Sequence, residues 1–365
     1  MEIVLLDYWM KPTIIIDQIE SAIWTKRFNK CGDFEVKLPL SILLDTEIKH
    51  HQNIYFPQSG DYMLIESLQL DTDSEKGDTI TIKGRTYDSI LDRRIIQNRT
   101  ILNVGMIYAV YSLLSENVLN PSNTNRKMNE VGWLWPQNMP NDKAGWVNAQ
   151  YTGDNLLDVI QKLCQERNVG YWMPYVPKGP ADNKYQFQLY WGHERHFTQK
   201  KNPYVIFSPD YDNLRKTKFL TSTTKEKNAA LVAGAGEEPN RKRLWHENGV
   251  MSGWLRKELY VDAKDVREKD ENNKDIPGDK YWELLRQKGR EKLVDCIVTS
   301  VYDGEMSQTS QFKFGRDFDL GDVVQIQNGL GMMNVGRCTE YIRSFTSSDG
   351  WKEYPTFETY YIPQE

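Results

Sequence analysis

The sequence predicts a mainly β, α+β fold divided into several domains. Long stretches alternate apolar and polar residues with a period of two, as where Phe34, Val36 and Leu38 alternate with Glu35 and Lys37. Helical periodicity is confined to a few segments of the middle and late chain. The length of 365 residues corresponds to about two to three domains at roughly 100–200 residues each. Strand runs kept apart from helix runs are the pattern of α+β or mainly β multidomain architecture.

The first stretch, residues 1–97, reads as strands and turns. Residues 3–8 are apolar and β-prone, and 13–16 are β-branched behind Pro12, where a missing N–H does little harm. Residues 21–28 lead to a turn at Gly32 and a return strand through Phe34. Residues 62–70 and 79–83 form a long hairpin about a polar turn with Gly77. A short helix is expected over 87–94.

Residues 98–203 change character. Asn103 is a candidate cap for a helix with Met106, Ile107, Val110, Leu113, Leu114 and Val118 on one face. An irregular stretch, 120–150, follows, of the length usual for interface or functional loops. Asp154 is a candidate cap for a second helix carrying Leu156, Leu157, Ile160, Leu163 and Cys164, stopped at Gly170. Residues 171–176 and 185–191 read as a hairpin. The whole is expected to be an inserted α/β module.

Residues 204–365 return to β patterning. Strands are expected over 205–208, 214–224, 228–233 and 255–261, then 297–302, 311–314, 323–327, 335–344 and 354–361. The charged stretch 266–280 reads as a loop. Asp279 is a candidate cap for a helix through Tyr281, Leu284, Leu285 and Leu293, weakened by Gly289 at about 1 kcal/mol against Ala. No repeat at a fixed short period is evident, so a solenoid is not expected.

Composition excludes several classes. Hydrophobic residues are 39% and charged residues 27%, and mean hydropathy is -0.65. A membrane-crossing helix needs about 20 nearly uncharged apolar residues, and the apolar run 104–114 is short and amphipathic. The N-terminus lacks a basic region and a small-residue cleavage site, so no secretory signal is expected. Cys31, Cys164, Cys296 and Cys338 are widely spaced, which argues for inert thiols over a disulfide framework or zinc site. Net charge is -5. The short basic run Arg241-Lys242-Arg243 follows Glu237 and Glu238 and reads as a solvated loop, not a nucleic-acid stripe.

Motifs that imitate chemistry fail on spacing. His193 and His196 are three apart after Gly192, whereas a zincin pair needs four on a helix. Asp71, Asp73 and Glu75 imitate a calcium loop, but Lys76 and Ile82 stand where Gly and Glu are required. Gly234-Ala235-Gly236 precedes two glutamates and Pro239 and reads as a turn, not a phosphate cradle. His50, His51 and His246 have no recognisable ligand spacing, and no G-x-S-x-G elbow exists. No catalytic, metal or cofactor residue is nominated. Aromatics are 12%, with 11 Trp and 20 Tyr. Trp133, Trp135 and Trp146 are the distinctive local group. They are candidates for a subunit interface or for stacking on sugar rings, with burial the third reading.

Several segments in order resemble the siphovirus tail-tip family, also called tail-associated or baseplate hub proteins of bacteriophages and prophages. They are Trp24-Thr25-Lys26-Arg27-Phe28 with Gly32-Asp33-Phe34-Glu35-Val36-Lys37-Leu38-Pro39, then Tyr62 to Glu66, Ile80-Thr81-Ile82-Lys83-Gly84-Arg85 and Leu91-Asp92-Arg93-Arg94-Ile95-Ile96. Tyr151-Thr152-Gly153-Asp154-Asn155-Leu156-Leu157-Asp158 resembles the start of the family's central helix, and Phe318-Asp319-Leu320-Gly321-Asp322-Val323-Val324, with Arg337, Thr339 and Glu340, its closing barrel. The resemblance implies two barrel-like β domains, here 1–97 and 204–365, around the insertion 98–203. It implies a homotrimeric ring continuing the tail tube, with contacts to the distal tail protein, the tape-measure protein and receptor-binding parts. It implies a virion-tail location after assembly in the bacterial cytoplasm, and neither cofactor nor enzymatic activity. Longer relatives carry wall-degrading or carbohydrate-binding domains, which a chain ending at Glu365 is expected to lack. Two other readings stay open: a carbohydrate-binding adhesion protein using the Trp133–Trp146 loop, and a tail-associated peptidoglycan hydrolase or protease.

Overall fold

A computed structural model describes residues 1–40, 53–73, 77–136, 145–176, 185–270, 273–327, 329, 331 and 333–360. Near the N-terminus β1 (Ile3–Leu6) pairs with β2 (Pro12–Ile16), which Pro12 opens. β3 (Ser21–Arg27) and β4 (Asp33–Pro39) form a hairpin with Trp24 opposite Phe34. The alternation expected in β4 is realised: Phe34, Val36 and Leu38 are buried while Asp33 and Glu35 are exposed. β5 (Asn53–Phe56), β6 (Asp61–Asp71) and β7 (Thr79–Arg85) extend the sheet, with a bulge in β6 between Ile65 and Ser67. Trp24 stacks on Phe56 at 4.5 Å between ring centroids, at the heart of this core. The short helix expected next is a 3₁₀ turn, Tyr87–Arg93.

The middle segment holds β8 (Thr100–Gly105), α1 (Met106–Leu114), β9 (Val131–Leu134), β10 (Trp146–Tyr151), α2 (Leu156–Glu166), β11 (Gly170–Trp172) and β12 (Tyr185–Tyr190). β8 pairs with β10, and β12 runs antiparallel to β11 and parallel to β9. Both helices bury their apolar faces in one cluster with Phe187 and Leu189. The caps differ from expectation. Asn103 lies within β8, where its Oδ1 accepts the Trp146 indole N–H at 2.6 Å, and Gly105 stands at the start of α1. Asn155, not Asp154, caps α2, accepting from the N–H groups of Leu157 and Asp158 at 2.9 and 3.2 Å. The stretch read as irregular contains β9 and β10, too short for their alternation to register.

The late segment holds β13 (Ile206–Phe207), β14 (Leu214–Ser222), β15 (Ala229–Ala233), β16 (Arg243–Glu247), β17 (Glu258–Asp262), α3 (Gly278–Val294), β18 (Thr299–Met306), β19 (Val323–Gln327), β20 (Met333–Thr346) and β21 (Gly350–Thr359). β16 begins at Arg243, the last residue of the basic run read as a solvated loop. Its Arg243, Trp245 and Glu247 point outward while Leu244 and His246 face inward, so charge hides the period of two. β15 pairs antiparallel with β16 and parallel with β17, and their inner face packs on α3. Asp279 lies inside α3, which starts after Pro277. Gly289 is not a flaw in α3: a Cβ there would lie 2.9 Å from His246 Cβ and 3.1 Å from Val232 Cγ2. Its missing side chain lets the helix approach the sheet. Residues 311–314 form no strand; Phe314 makes a single bridge to Phe318.

The two ends of the chain share one sheet. β20 pairs antiparallel with β3, with Ile342 opposite Thr25. Among the described residues this builds a 13-stranded sheet along the path β14-β18-β21-β20-β3-β4-β7-β6-β5-β1-β2, with β19 and β13 branching from β20. The path is open, and β14 and β2 are its free edges.

Candidate functional site

Phe28 ties the parts of the fold together. It is fully buried just after β3. Its N–H donates to Thr339 O at 2.9 Å, and its carbonyl accepts from Tyr171 N–H at 3.1 Å. The N-terminal sheet, the middle segment and the closing strands thus meet at one residue. Its ring packs edge-on to Tyr190 at 5.5 Å and lies under the Arg337 guanidinium at 5.4 Å. Gly321 faces the ring with φ +86°, and a Cβ there would stand 2.8 Å from Phe28 Cδ2. Glycine is required for both the left-handed backbone and the space.

Asp322 locks the same junction. It is 1% exposed. Its Oδ1 accepts from His193 N–H at 2.6 Å, and its Oδ2 from Arg195 Nε at 2.7 Å and Asp319 N–H at 3.1 Å. A buried carboxylate needs such compensation, and the arrangement fixes the connection after β12 onto β19. The Leu320-Gly321-Asp322-Val323 turn is therefore an architectural joint. His196 next to it is buried and shares a hydrogen bond with Thr198 at 2.8 Å.

A second joint couples α3 to the middle segment. The Tyr151 hydroxyl donates to Glu291 Oε1, and Gln287 donates to Glu166 at 2.6 Å. Lys288 pairs with Asp265 at 2.9 Å. Burial pushes the Glu291 carboxyl up. Burial also pulls Lys288 down, but Glu291, Asp265 and Asp154 outweigh it and raise its pKa.

The nominated tryptophans separate. Trp133 stacks on Phe187 at 5.8 Å and meets Trp135 edge-on at 5.6 Å; Tyr111 touches both. Trp135 is half exposed beside Tyr108. Trp146 lies in the two-stranded sheet of β8 and β10, 60% exposed, and makes no ring contact among the described residues. The loop between β16 and β17, missed in the sequence because its apolar residues have no period, carries Val250 and Trp254, both 98% exposed.

A cleft of about 630 Å³ opens between the N-terminal sheet, β11–β12 and the turn before β19. Trp172, Tyr62, Tyr175 and Trp191 line it beside Lys26, Asp61 and Arg343. Asp61 pairs with Lys26 and lies 3.6 Å from Arg343. The sequence held no signal for this cleft, because its walls come from segments far apart in the chain.

The other imitative motifs take structural parts. Arg241 pairs with Asp262 and donates to the carbonyls of Gly234 and Ala233 at 2.6 and 2.8 Å; Lys242 pairs with Glu268 at 2.9 Å. The basic run is thereby neutralised within the protein. Asp71 ends β6, while Glu75, Lys76, His50 and His51 lie outside the described residues. Among the described residues no group of three His, Cys, Asp or Glu side chains could hold a metal ion. All four cysteines are free, and burial pushes the thiols of Cys31, Cys164 and Cys338 up. No helix among the described residues is long and apolar enough to cross a membrane.

The fold is similar to that of solved tail proteins, two of them from prophages. The prophage tail protein gp18 from Listeria monocytogenes EGD-e matches with a TM-score of 0.54 and 13% identity, covering 98% of this chain and 94% of that one. The tail protein from Neisseria meningitidis MC58 matches at 0.57 and 11%, over 98% and 96%. The 43 kDa tail protein of prophage MuSo2 from Shewanella oneidensis matches at 0.57 and 13%, over 98% of each. At these identities the likeness is one of fold. No curated protein matches the chain. The chain belongs to the family of Siphovirus ReqiPepy6 Gp37-like proteins, whose model matches residues 3–356.

Proposed function

We propose that this protein is the structural hub of a bacteriophage or prophage tail tip. Three copies form a ring that extends the tail tube and joins the distal tail protein, the tape-measure protein and the receptor-binding parts. The family match over residues 3–356 carries this reading, and the fold shared with three tail proteins, two of them from prophages, supports it. The hub resides in the virion tail after assembly in the bacterial cytoplasm. It works without cofactor or catalytic residue: its buried carboxyl joints at Asp322 and Glu291 hold segments together.

In this reading residues 1–97 and 204–365 are the two barrel-like lobes that present similar surfaces to the tube, and 98–203 is the insertion. Exposed aromatic and aliphatic side chains are where a subunit contact is expected. Trp254, Val250, Trp135 and Trp146 supply them. The two end strands of the main sheet's path, β14 and β2, are blunted against strand pairing. Pro12 opens β2, while β14 carries Lys216, Lys218 and a bulge between Arg215 and Lys218. Side-chain contacts are therefore favoured over strand addition at these two edges.

Light scattering behind a sizing column tests this reading, with a mass of three chains expected. Trp254→Ser and Trp135→Ser should shift the mass toward one chain with the fold intact. A wild-type monomer that also fails to join purified distal tail protein counts against a hub.

A further inference from the structure

Beyond this architectural role, we propose that the cleft between the N-terminal sheet and β11–β12 binds a neutral saccharide, with Trp172 as its stacking platform. At about 630 Å³, its volume falls within the roughly 300–1,000 Å³ of small-molecule sites. Trp172 is 49% exposed. Its indole N–H is held by Gln188 Oε1 at 3.3 Å, which orients the ring. A flat, half-exposed aromatic face accepts the apolar C–H face of a sugar ring while polar neighbours take its hydroxyls.

The chemistry of the walls selects a neutral, hydroxyl-rich ligand. Four Lys or Arg and four Asp side chains line the cleft, so formal charge balances. Most are already paired. Lys26 holds Asp61, Arg343 reaches Asp61 and Glu353, and Arg195 holds Asp322. Except at the exposed Lys30, a phosphate or a strongly charged peptide would have to break these pairs. A hydroxyl group, both donor and acceptor, adds to them without displacing a charge. Strand addition by a peptide is also disfavoured. Tyr171 N–H on β11 is used by Phe28 O, and Pro174 beyond it has no N–H to offer.

The test uses the purified full chain on an array of neutral and anionic bacterial oligosaccharides, and the strongest neutral probe is then titrated calorimetrically. Neutral probes are expected to bind. Trp172→Ala should weaken binding about tenfold, as loss of a stacked aromatic face implies, and Trp172→Phe should restore part of it. Tyr211→Ala, at an exposed aromatic outside the cleft, should bind as the wild type does. Circular dichroism of each variant separates lost binding from lost fold. Binding of no neutral probe, binding of anionic probes or tail-protein peptides alone, or undiminished binding by Trp172→Ala overturns the proposal. A trimer that binds no glycan would sink this inference and leave the hub reading standing.

Discussion

The ring of Phe28 occupies the space in which a side chain on Gly321 would stand. Residues nearly three hundred positions apart are thereby matched in shape, one aromatic and one without a Cβ. The contact lies where strands from both ends of the chain join the middle segment. Gly321→Ala imposes a left-handed backbone on alanine and drives its methyl into the ring. It is expected to cost about 2–4 kcal/mol, read as a lower urea midpoint with an unchanged slope. Adding Phe28→Leu should recover part of that loss. If the two changes simply add, the ring is not what excludes the methyl.

Gly289→Ala should also destabilise, against the helix-propensity rule. In an exposed helix the change gains about 1 kcal/mol. In α3 the new methyl meets His246 Cβ at 2.9 Å, and the expected result is a net loss of about 1–3 kcal/mol. A raised melting temperature would show that α3 has room to move off its sheet.

Glu291 predicts a pH dependence of stability. Burial raises its carboxyl above the ordinary 4.5. The folded state then holds this proton more tightly than the unfolded chain does. The group's contribution is therefore fully favourable below about 4.5 and declines as pH rises through the raised value. Glu291→Gln keeps an acceptor for the Tyr151 hydroxyl, faces the same Lys288, Gln287 and Glu166, and removes the titration. Wild type should lose stability relative to Glu291→Gln as pH climbs through that window in denaturant titrations. Parallel curves for the two proteins would contradict this.

The tryptophans should divide by environment. Trp133→Ala removes a ring stacked on Phe187 and touched by Tyr111 and Trp135, at an expected cost of about 2–4 kcal/mol. Trp146→Ala removes an exposed ring and one hydrogen bond to Asn103, and should cost about 0.5–1 kcal/mol. Thermal melts of the two variants separate these outcomes. Equal losses would mean that Trp146 is also packed.

The sequence by itself determined the strand-rich character and most long strands. It also determined the apolar faces of the three helices. These signals are local: side-chain direction alternates every residue in a strand and repeats every 3.6 in a helix, and burial of one face writes that period into the chain. The family's ordered segments were legible too, including the Leu320-Gly321-Asp322-Val323 turn. Helix caps were not, because Asn103, Asp154 and Asp279 all have the right chemistry, and only backbone geometry decides which N–H groups a side chain reaches. The short strands β9, β10 and β16 escaped because few residues carry their alternation, and in β16 Arg243, Trp245 and Glu247 occupy the outward positions.

Only the tertiary structure decided how the ends meet. Pairing of β20 with β3 rests on backbone hydrogen bonds, which carry no residue-specific signature across more than three hundred positions. The same holds for Phe28 against Gly321, Asp322 under Arg195, and the cleft around Trp172. Each is built from segments distant in sequence, and contact between them exists only once the intervening chain has folded.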